Sequence, residues 1–259
     1  TGSNGKTTTK DILSSILEQK FKVVKTKGNF NNEIGLPLTL LDINEDTEIV
    51  VVEMAMRGLE QIRELARIAS PNIGIITNIG EVHLELLGSI ENVAKAKGEL
   101  LEELPLDGIA ILNWEDKWCK KISHKFAGTI LKYGFDKENS LWGKIVKREN
   151  FATHFKLNIG SEQEMVSLPL PGDHNVLNAL AASAAAKSLG LGIKEIATGL
   201  NKVEITSQRL EVIEVTSKKS TVINDSYNAN PISMKASLEV LANAGSGRKI
   251  AVLGSMFEL

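Results

Sequence analysis

The sequence predicts an α/β protein, a mostly parallel sheet covered by helices, and three observations predict it. Short β-branched apolar runs alternate with stretches of helical periodicity, a glycine-rich turn opens the first helix, and the intervening loops are short and polar. Strands buried by helices on both faces read as near-continuous apolar runs, and these do. The composition agrees. With 42% hydrophobic and 24% charged residues among 259, the chain has a globular balance that excludes collagen, coiled coil and mucin-like tracts, and it is long enough to bury a core without disulfide staples.

The elements follow in order. Gly2-Ser3-Asn4-Gly5-Lys6-Thr7-Thr8 leads into a helix over residues 11–19, where Ile12, Leu13, Ile16 and Leu17 share one face. Val23 and Val24 then read as a short buried strand, as do residues 49–52, 73–76 and 109–112. Residues 59–69 form a helix that buries Leu59, Ile62, Leu65, Ala66 and Ala69. From about residue 133 to 171 the pattern changes, because 142–146 and 151–159 alternate like strands with one exposed face, predicting a small antiparallel extension. An alanine-rich helix over 176–189 ends at Gly190, in the place of a left-handed cap, and its alanine face permits close packing.

A second unit is expected from near Thr206. Residues 210–215 and 221–224 are strand-like, Pro231 starts a helix running to 244, and 250–254 reads as another buried strand. The division is therefore 1–206 and 207–259, the second part being the start of a Rossmann-like α/β domain, too small to be a whole one. The chain also begins inside the glycine-rich turn, so a longer parent protein is expected, and the segment alone is expected to be inactive.

Thirty Lys and Arg against thirty-two Asp and Glu leave a net charge of −2, which gives no general field for nucleic acid while leaving room for a local phosphate site. The one cysteine, Cys119, forms no intramolecular disulfide, and a cysteine-poor chain without a signal-peptide pattern or spanning segment fits the cytoplasm.

The glycine-rich turn carries the clearest chemistry. Glycines let backbone N–H groups face an anion, the helix N-terminus adds its dipole, Lys6 is placed to reach β- and γ-phosphates, and Thr7 to put its hydroxyl on Mg²⁺: a P-loop. Glu53 ends the 49–52 strand and His83 follows the 73–76 strand, both at the sheet edge where open α/β sheets bind ligands. Spacing alone makes Lys97 a solvated lysine in a charge lattice with Glu91 and Glu102, and makes Asp173 or Asn175 a helix cap, although Asn175 and Asn178 share a face. Three polar loops complete the set: 26–33, Ser207-Gln208-Arg209, and 224–230, the last an Asx-rich turn before Pro231.

In this order the motifs resemble the Mur ligase family of ATP-dependent amide-forming enzymes, over nearly the whole chain. Residues 224–234 (NDSYNANPISM) and 28–37 (GNFNNEIGLP) look like its branch that joins D-alanyl-D-alanine to UDP-N-acetylmuramoyl-tripeptide. The resemblance implies that Gly2, Ser3, Asn4, Gly5, Lys6, Thr7 and Thr8 hold ATP phosphates, with Arg209 beside them. Asn175, near His174 and Asn178, falls on the adenine side, and Asp225 at the ribose. It further implies two Mg²⁺ ions, one on Thr7 and Glu53 and a second helped by His83, and a CO₂-derived carbamate on Lys97 supporting them. Lys6, Glu53, His83 and Lys97 are then the catalytic set. Asn29, Asn31 and Asn32 would face the sugar-nucleotide peptide, and Tyr227, Asn228 and Asn230 the dipeptide or the nucleotide.

The family chemistry runs through attack of the peptide carboxylate on the γ-phosphate, then of the dipeptide amine on the acyl phosphate. A monomer is expected. Ala55 departs from a common family Gly and Ser255 from a common Asp. A folylpolyglutamate-synthase-like ligase fits less well, because its late motif Asp-Gly-Ala-His-Asn-Pro differs from residues 225–231. A P-loop nucleotide switch without ligation is the alternative of another class.

Overall fold

The computed structural model describes residues 1–149, 151–218 and 220–256. Helix α1 (Lys6–Leu17) starts directly on the glycine-rich turn, five residues earlier than periodicity suggested, because Gly5 in the left-handed region (φ 79°) caps it and Thr9 N–H bonds to the Gly5 carbonyl. Then come β1 (Val23–Lys25), α2 (Gly35–Leu41) and β2 (Ile49–Val51), the two strands pairing in parallel. Helix α3 (Gln61–Ala69) leads to β3 (Ile73–Ile76), α4 (Leu84–Leu87) and α5 (Ile90–Glu103). Strand β4 (Ile109–Asn113), α6 (Lys117–Ser123) and β5 (Thr129–Gly134) precede the extension β6 (Leu141–Glu149), β7 (Ala152–Ile159) and β8 (Glu162–Leu168).

The six-stranded sheet runs β3-β4-β5-β6-β7-β8, parallel from β3 to β6 and antiparallel from there on, so the fold is α/β with the expected antiparallel extension. Alternation along β4 divides the core. Ile111 points into the cluster built by α1, α7 (Asp173–Ser188) and α8 (Ile193–Leu200), whereas Ala110 and Leu112 point to α3, α5 and α6. Helix α7 is apolar nearly all round and is buried accordingly, with Ala179, Ala181, Ala182, Ala184, Ala185 and Ala186 shielded from water against α1 and the sheet. It ends before Gly190 at φ 87°, as expected of a left-handed cap.

Several readings from sequence need correction. Leu59 is exposed and outside its helix, because Glu60 takes a left-handed conformation (φ 68°) just before α3 begins. Val23 and Val24 are only half-buried, on a strand at the end of a two-stranded pair. Neither Asp173 nor Asn175 caps α7: Gly172 occupies the cap, Asp173 forms an ion pair with Arg148 (2.7 Å), and Asn175 lies within the first turn. Strands β9 (Glu211–Val215) and β10 (Ser220–Asn224) form an antiparallel pair, followed by α9 (Pro231–Asn243) with Pro231 at its first position and Asn230 as its cap. Residues 250–254 form no strand. Ile250, Val252 and Leu253 are exposed, and the run pairs with no described strand, the β9–β10 sheet remaining two-stranded. Phe257, Glu258 and Leu259, which close the late motif holding Ser255, lie outside the described residues.

Candidate active site

The glycine-rich turn is held from below by the loop after β3. Ser3 N–H donates to the Asn78 carbonyl (2.9 Å), Asn4 N–H to Asn78 Oδ1 (2.9 Å), and Thr77 Oγ1 to the Asn4 carbonyl (2.6 Å). Packing is tight enough that a Cβ on Gly2 would overlap the Thr77 hydroxyl, and one on Gly5 the Asn178 amide oxygen. The loop amides are thereby fixed at the N-terminus of a twelve-residue helix, the standard physical basis of phosphate binding. Lys6 Nζ rests on the Gly2 carbonyl (2.9 Å), and burial pushes its ammonium below the ordinary lysine value, with Glu53 opposing and Arg209 adding to the shift.

Around this loop lies one cavity of about 910 Å³. Ser3, Asn4, Gly5, Lys6, Thr7 and Thr8 line it, together with Asn29, Asn31, Asn32, Glu53 and His83 from the loops after β1, β2 and β3. From α7 come His174, Asn175 and Asn178, and from the second unit Arg209, Asp225, Tyr227, Asn228 and Asn230. Gly2 and Lys97 are not part of the lining.

Glu53 is 4% exposed. Its Oε1 accepts from Asn31 Nδ2 (2.7 Å), while Oε2 is buried with no hydrogen-bond partner among the described residues. An ionised oxygen left this way is costly unless something electropositive meets it. Asn32 Oδ1 accepts from Gly35 N–H (2.8 Å) in the turn before α2, so two of the three loop asparagines already have structural work. His83 sits at the start of α4 in a left-handed conformation (φ 55°).

Lys97 corrects the reading from spacing: it is 2% exposed, not solvated. Burial pushes its amine well below the usual lysine value, and the Lys6 charge pushes the same way. Glu102, its supposed lattice partner, pairs instead with Arg63 (2.7 Å) and Lys125 (2.9 Å). Asn175 and Asn178 do lie side by side, with Asn178 Nδ2 donating to Asn175 Oδ1 (3.1 Å) and Thr9 Oγ1 to Asn178 Oδ1 (3.3 Å). Burial lowers the His174 imidazole, against the nearby Asp225 charge.

Compared with known proteins, residues 1–186 match the Mur ligase middle domain, and residues 208–259 match the Mur ligase, glutamate ligase domain. The chain belongs to the Mur ligase family. It is 42% identical over 260 residues to the UDP-N-acetylmuramoyl-tripeptide–D-alanyl-D-alanine ligase of Bacillus subtilis, covering 100% of this chain and 56% of that protein. The Escherichia coli protein of the same name is 35% identical over 261 residues, with 57% of its length covered. A crystal structure of MurF from Acinetobacter baumannii superposes with a TM-score of 0.93 at 32% identity, over 99% of this chain and 56% of that one. MurF from Thermotoga maritima, in complex with ADP, gives 0.84 at 29%, over 93% and 55%. The chain thus spans about half the length of the curated relatives it matches.

In this Mur ligase chain, sequence reasoning gave no role to Thr77, Asn78 and Ser237, which hold the site together. Thr77 and Asn78 carry the phosphate loop, and their signal was present as polar residues at the carboxyl end of β3. Ser237, nearly two turns into α9, donates to Asp225 Oδ2 and looked like an ordinary helix serine. No helix among the described residues is long and apolar enough to cross a membrane.

Proposed function

We propose that this chain is the ATP-binding part of a cytoplasmic ligase, acting as a monomer, that joins D-alanyl-D-alanine to UDP-N-acetylmuramoyl-tripeptide. In this reading residues 1–206 form the nucleotide-binding unit and 207–259 the start of a second. The observation that carries it is convergence: the phosphate loop, the unpartnered Glu53 oxygen and Arg209 from the second unit all face one cavity. The names of the relatives supply the substrates, and the ADP complex of the Thermotoga protein supports the nucleotide.

Mg²⁺ fits the residues present. Thr7 Oγ1 and Glu53 Oε2 are hard oxygen donors, Glu53 lacks a partner on that side, and Mg²⁺ typically takes one or two carboxylates and completes its shell with phosphate and water. Thr7 and Glu53 would hold one ion, and His83 would help with a second. When bound, the ions neutralise phosphate oxygens that otherwise repel an anionic nucleophile.

The chain's own groups do the rest. Loop amides and Lys6 orient the β- and γ-phosphates, and Arg209, bonded to Thr7 Oγ1, adds a further positive charge, so the peptide carboxylate meets a shielded γ-phosphorus. The carboxylate oxygen bonds to that phosphorus as the bridge to ADP breaks, giving an acyl phosphate. The dipeptide amine then attacks the acyl carbon, phosphate leaves with the bonding pair, and the amine sheds a proton. Lys97, buried and shifted toward its neutral form, is chemically suited to take up CO₂ as a carbamate, since only the neutral amine reacts. In this reading Asn29, Asn31 and Asn32 face the acceptor, and Asn228 and Asn230 the dipeptide or the nucleotide.

Phosphate release by the full-length protein with ATP, Mg²⁺ and UDP-N-acetylmuramoyl-tripeptide tests this reading. Release that requires D-alanyl-D-alanine, with a product heavier by one dipeptide, is expected. Slow release indifferent to both substrates would leave only a nucleotide-binding module.

A further inference from the structure

Arg209 lies between two strained residues. Gln208 (φ 65°) and Leu210 (φ 53°) are both left-handed, a conformation that leucine in particular rarely adopts, and Leu210 is buried. Such strain persists only where the surroundings over-determine it, and here they do. Leu210 N–H donates to Asp225 Oδ1 (3.1 Å), Gln208 N–H to Glu211 Oε2 (3.0 Å), and Tyr227 N–H to the Gln208 carbonyl (3.4 Å). The other Asp225 oxygen accepts from Ser237. The loop after β10 therefore stitches the Arg209 loop down on both of its flanks.

The side chain is held as well as the backbone. The guanidinium carbon stands 3.9 Å from the centre of the Tyr227 ring, and Nη2 donates to Thr7 Oγ1 (3.2 Å). Its Nε is buried without a hydrogen-bond partner among the described residues. One face of the cation is thus covered by an aromatic surface, and its edge is directed at the phosphate loop. An arginine has many rotamers, and a stacked ring removes most of them before any ligand arrives.

We propose that Tyr227 is a positioning residue: its ring, together with the Asp225 clamp on the strained 208–210 backbone, holds Arg209 aimed at the phosphate loop. This rests on reading Arg209 as the arginine that faces the nucleotide phosphates. It gives Tyr227 a different task from contact with the dipeptide, since one face of the ring is already taken by the guanidinium. It also gives Asp225 a task that does not depend on a ribose.

The test is a double-mutant cycle in the full-length protein, reading kcat and KM for ATP and for D-alanyl-D-alanine in Arg209→Ala, Tyr227→Ala, Tyr227→Phe and the Arg209→Ala/Tyr227→Ala pair. Tyr227→Ala is expected to lower kcat/KM for ATP about tenfold, and Tyr227→Phe, which keeps the ring, by less than about twofold. The pair should be no worse than Arg209→Ala alone, and the dipeptide KM should stay unchanged. Losses that multiply beside a large Arg209→Ala effect, or a raised dipeptide KM in Tyr227→Ala, overturn the positioning role while leaving the phosphate reading intact. An Arg209→Ala protein with normal ATP kinetics overturns that reading and the positioning role together.

Discussion

At the scale of single residues, burial decides which polar side chains matter. Glu53 and Lys97 are both nearly sealed from water, and each carries a charge problem that a solvated residue would not have. If Glu53 holds Mg²⁺, Glu53→Ala should raise the Mg²⁺ concentration for half-maximal phosphate release by about tenfold or more, read by metal titration at fixed ATP. An unchanged titration would remove Glu53 from the metal site. Lys97→Ala should cut turnover by about a hundredfold, and a short-chain carboxylic acid should restore part of it, because the missing group is a carboxylate equivalent. Wild-type turnover without the acid would end the carbamate reading. Spacing could show neither burial: Lys97 sits in a run of alternating alanine and lysine, and only the tertiary packing of α5 makes it an interior residue.

At the scale of elements, alternation and glycine positions carried most of the fold. The runs at 49–52, 73–76 and 109–112 each became a parallel strand, and residues inside the 133–171 change became the antiparallel extension. Strands β5 and β8 were less legible, because β5 mixes lysine and threonine with its apolar residues and β8 is mostly polar on its outer face. The 250–254 run is apolar enough for a strand, but it pairs with no described strand and leaves its apolar side chains exposed. Close packing around α7 predicts that Ala182→Leu costs about 1–3 kcal/mol, visible as a lower melting temperature with the helical spectrum retained.

Helices α3 and α5 are joined by Arg63, which reaches Glu60, Glu102 and Glu103. Lys125 and Arg63 hold the Glu102 carboxyl below its usual range, and Arg67 with Arg63 does the same for Glu103. A depressed carboxyl adds stability above its unfolded value, about 4.3, and loses it as pH falls through the folded value. Arg63→Ala should therefore lower the melting temperature at pH 7 and flatten its decline toward pH 3. An equal decline in both proteins would show that the network does not contribute.

At the scale of the whole molecule, the segment from Thr206 onward rests on α1 and on the glycine-rich turn before it. Asp11 Oδ2 accepts from Thr206 N–H (2.9 Å) where the second unit begins, Arg209 bonds to Thr7, and Asn230 Nδ2 donates to Asn4 Oδ1 (2.6 Å). The helix that follows the glycine-rich turn is thus also the seat of residues 206–230. Sequence motifs located both contributors but not their meeting, since contacts more than 190 residues apart leave no local signature. Fate of the oxygen atoms tests acyl-phosphate formation at this junction most directly. With UDP-N-acetylmuramoyl-tripeptide carrying ¹⁸O in its terminal carboxylate, full-length protein, ATP, Mg²⁺ and D-alanyl-D-alanine should release phosphate containing one ¹⁸O for each amide formed. Unlabelled phosphate, or label appearing in AMP, would contradict attack of the carboxylate on the γ-phosphate.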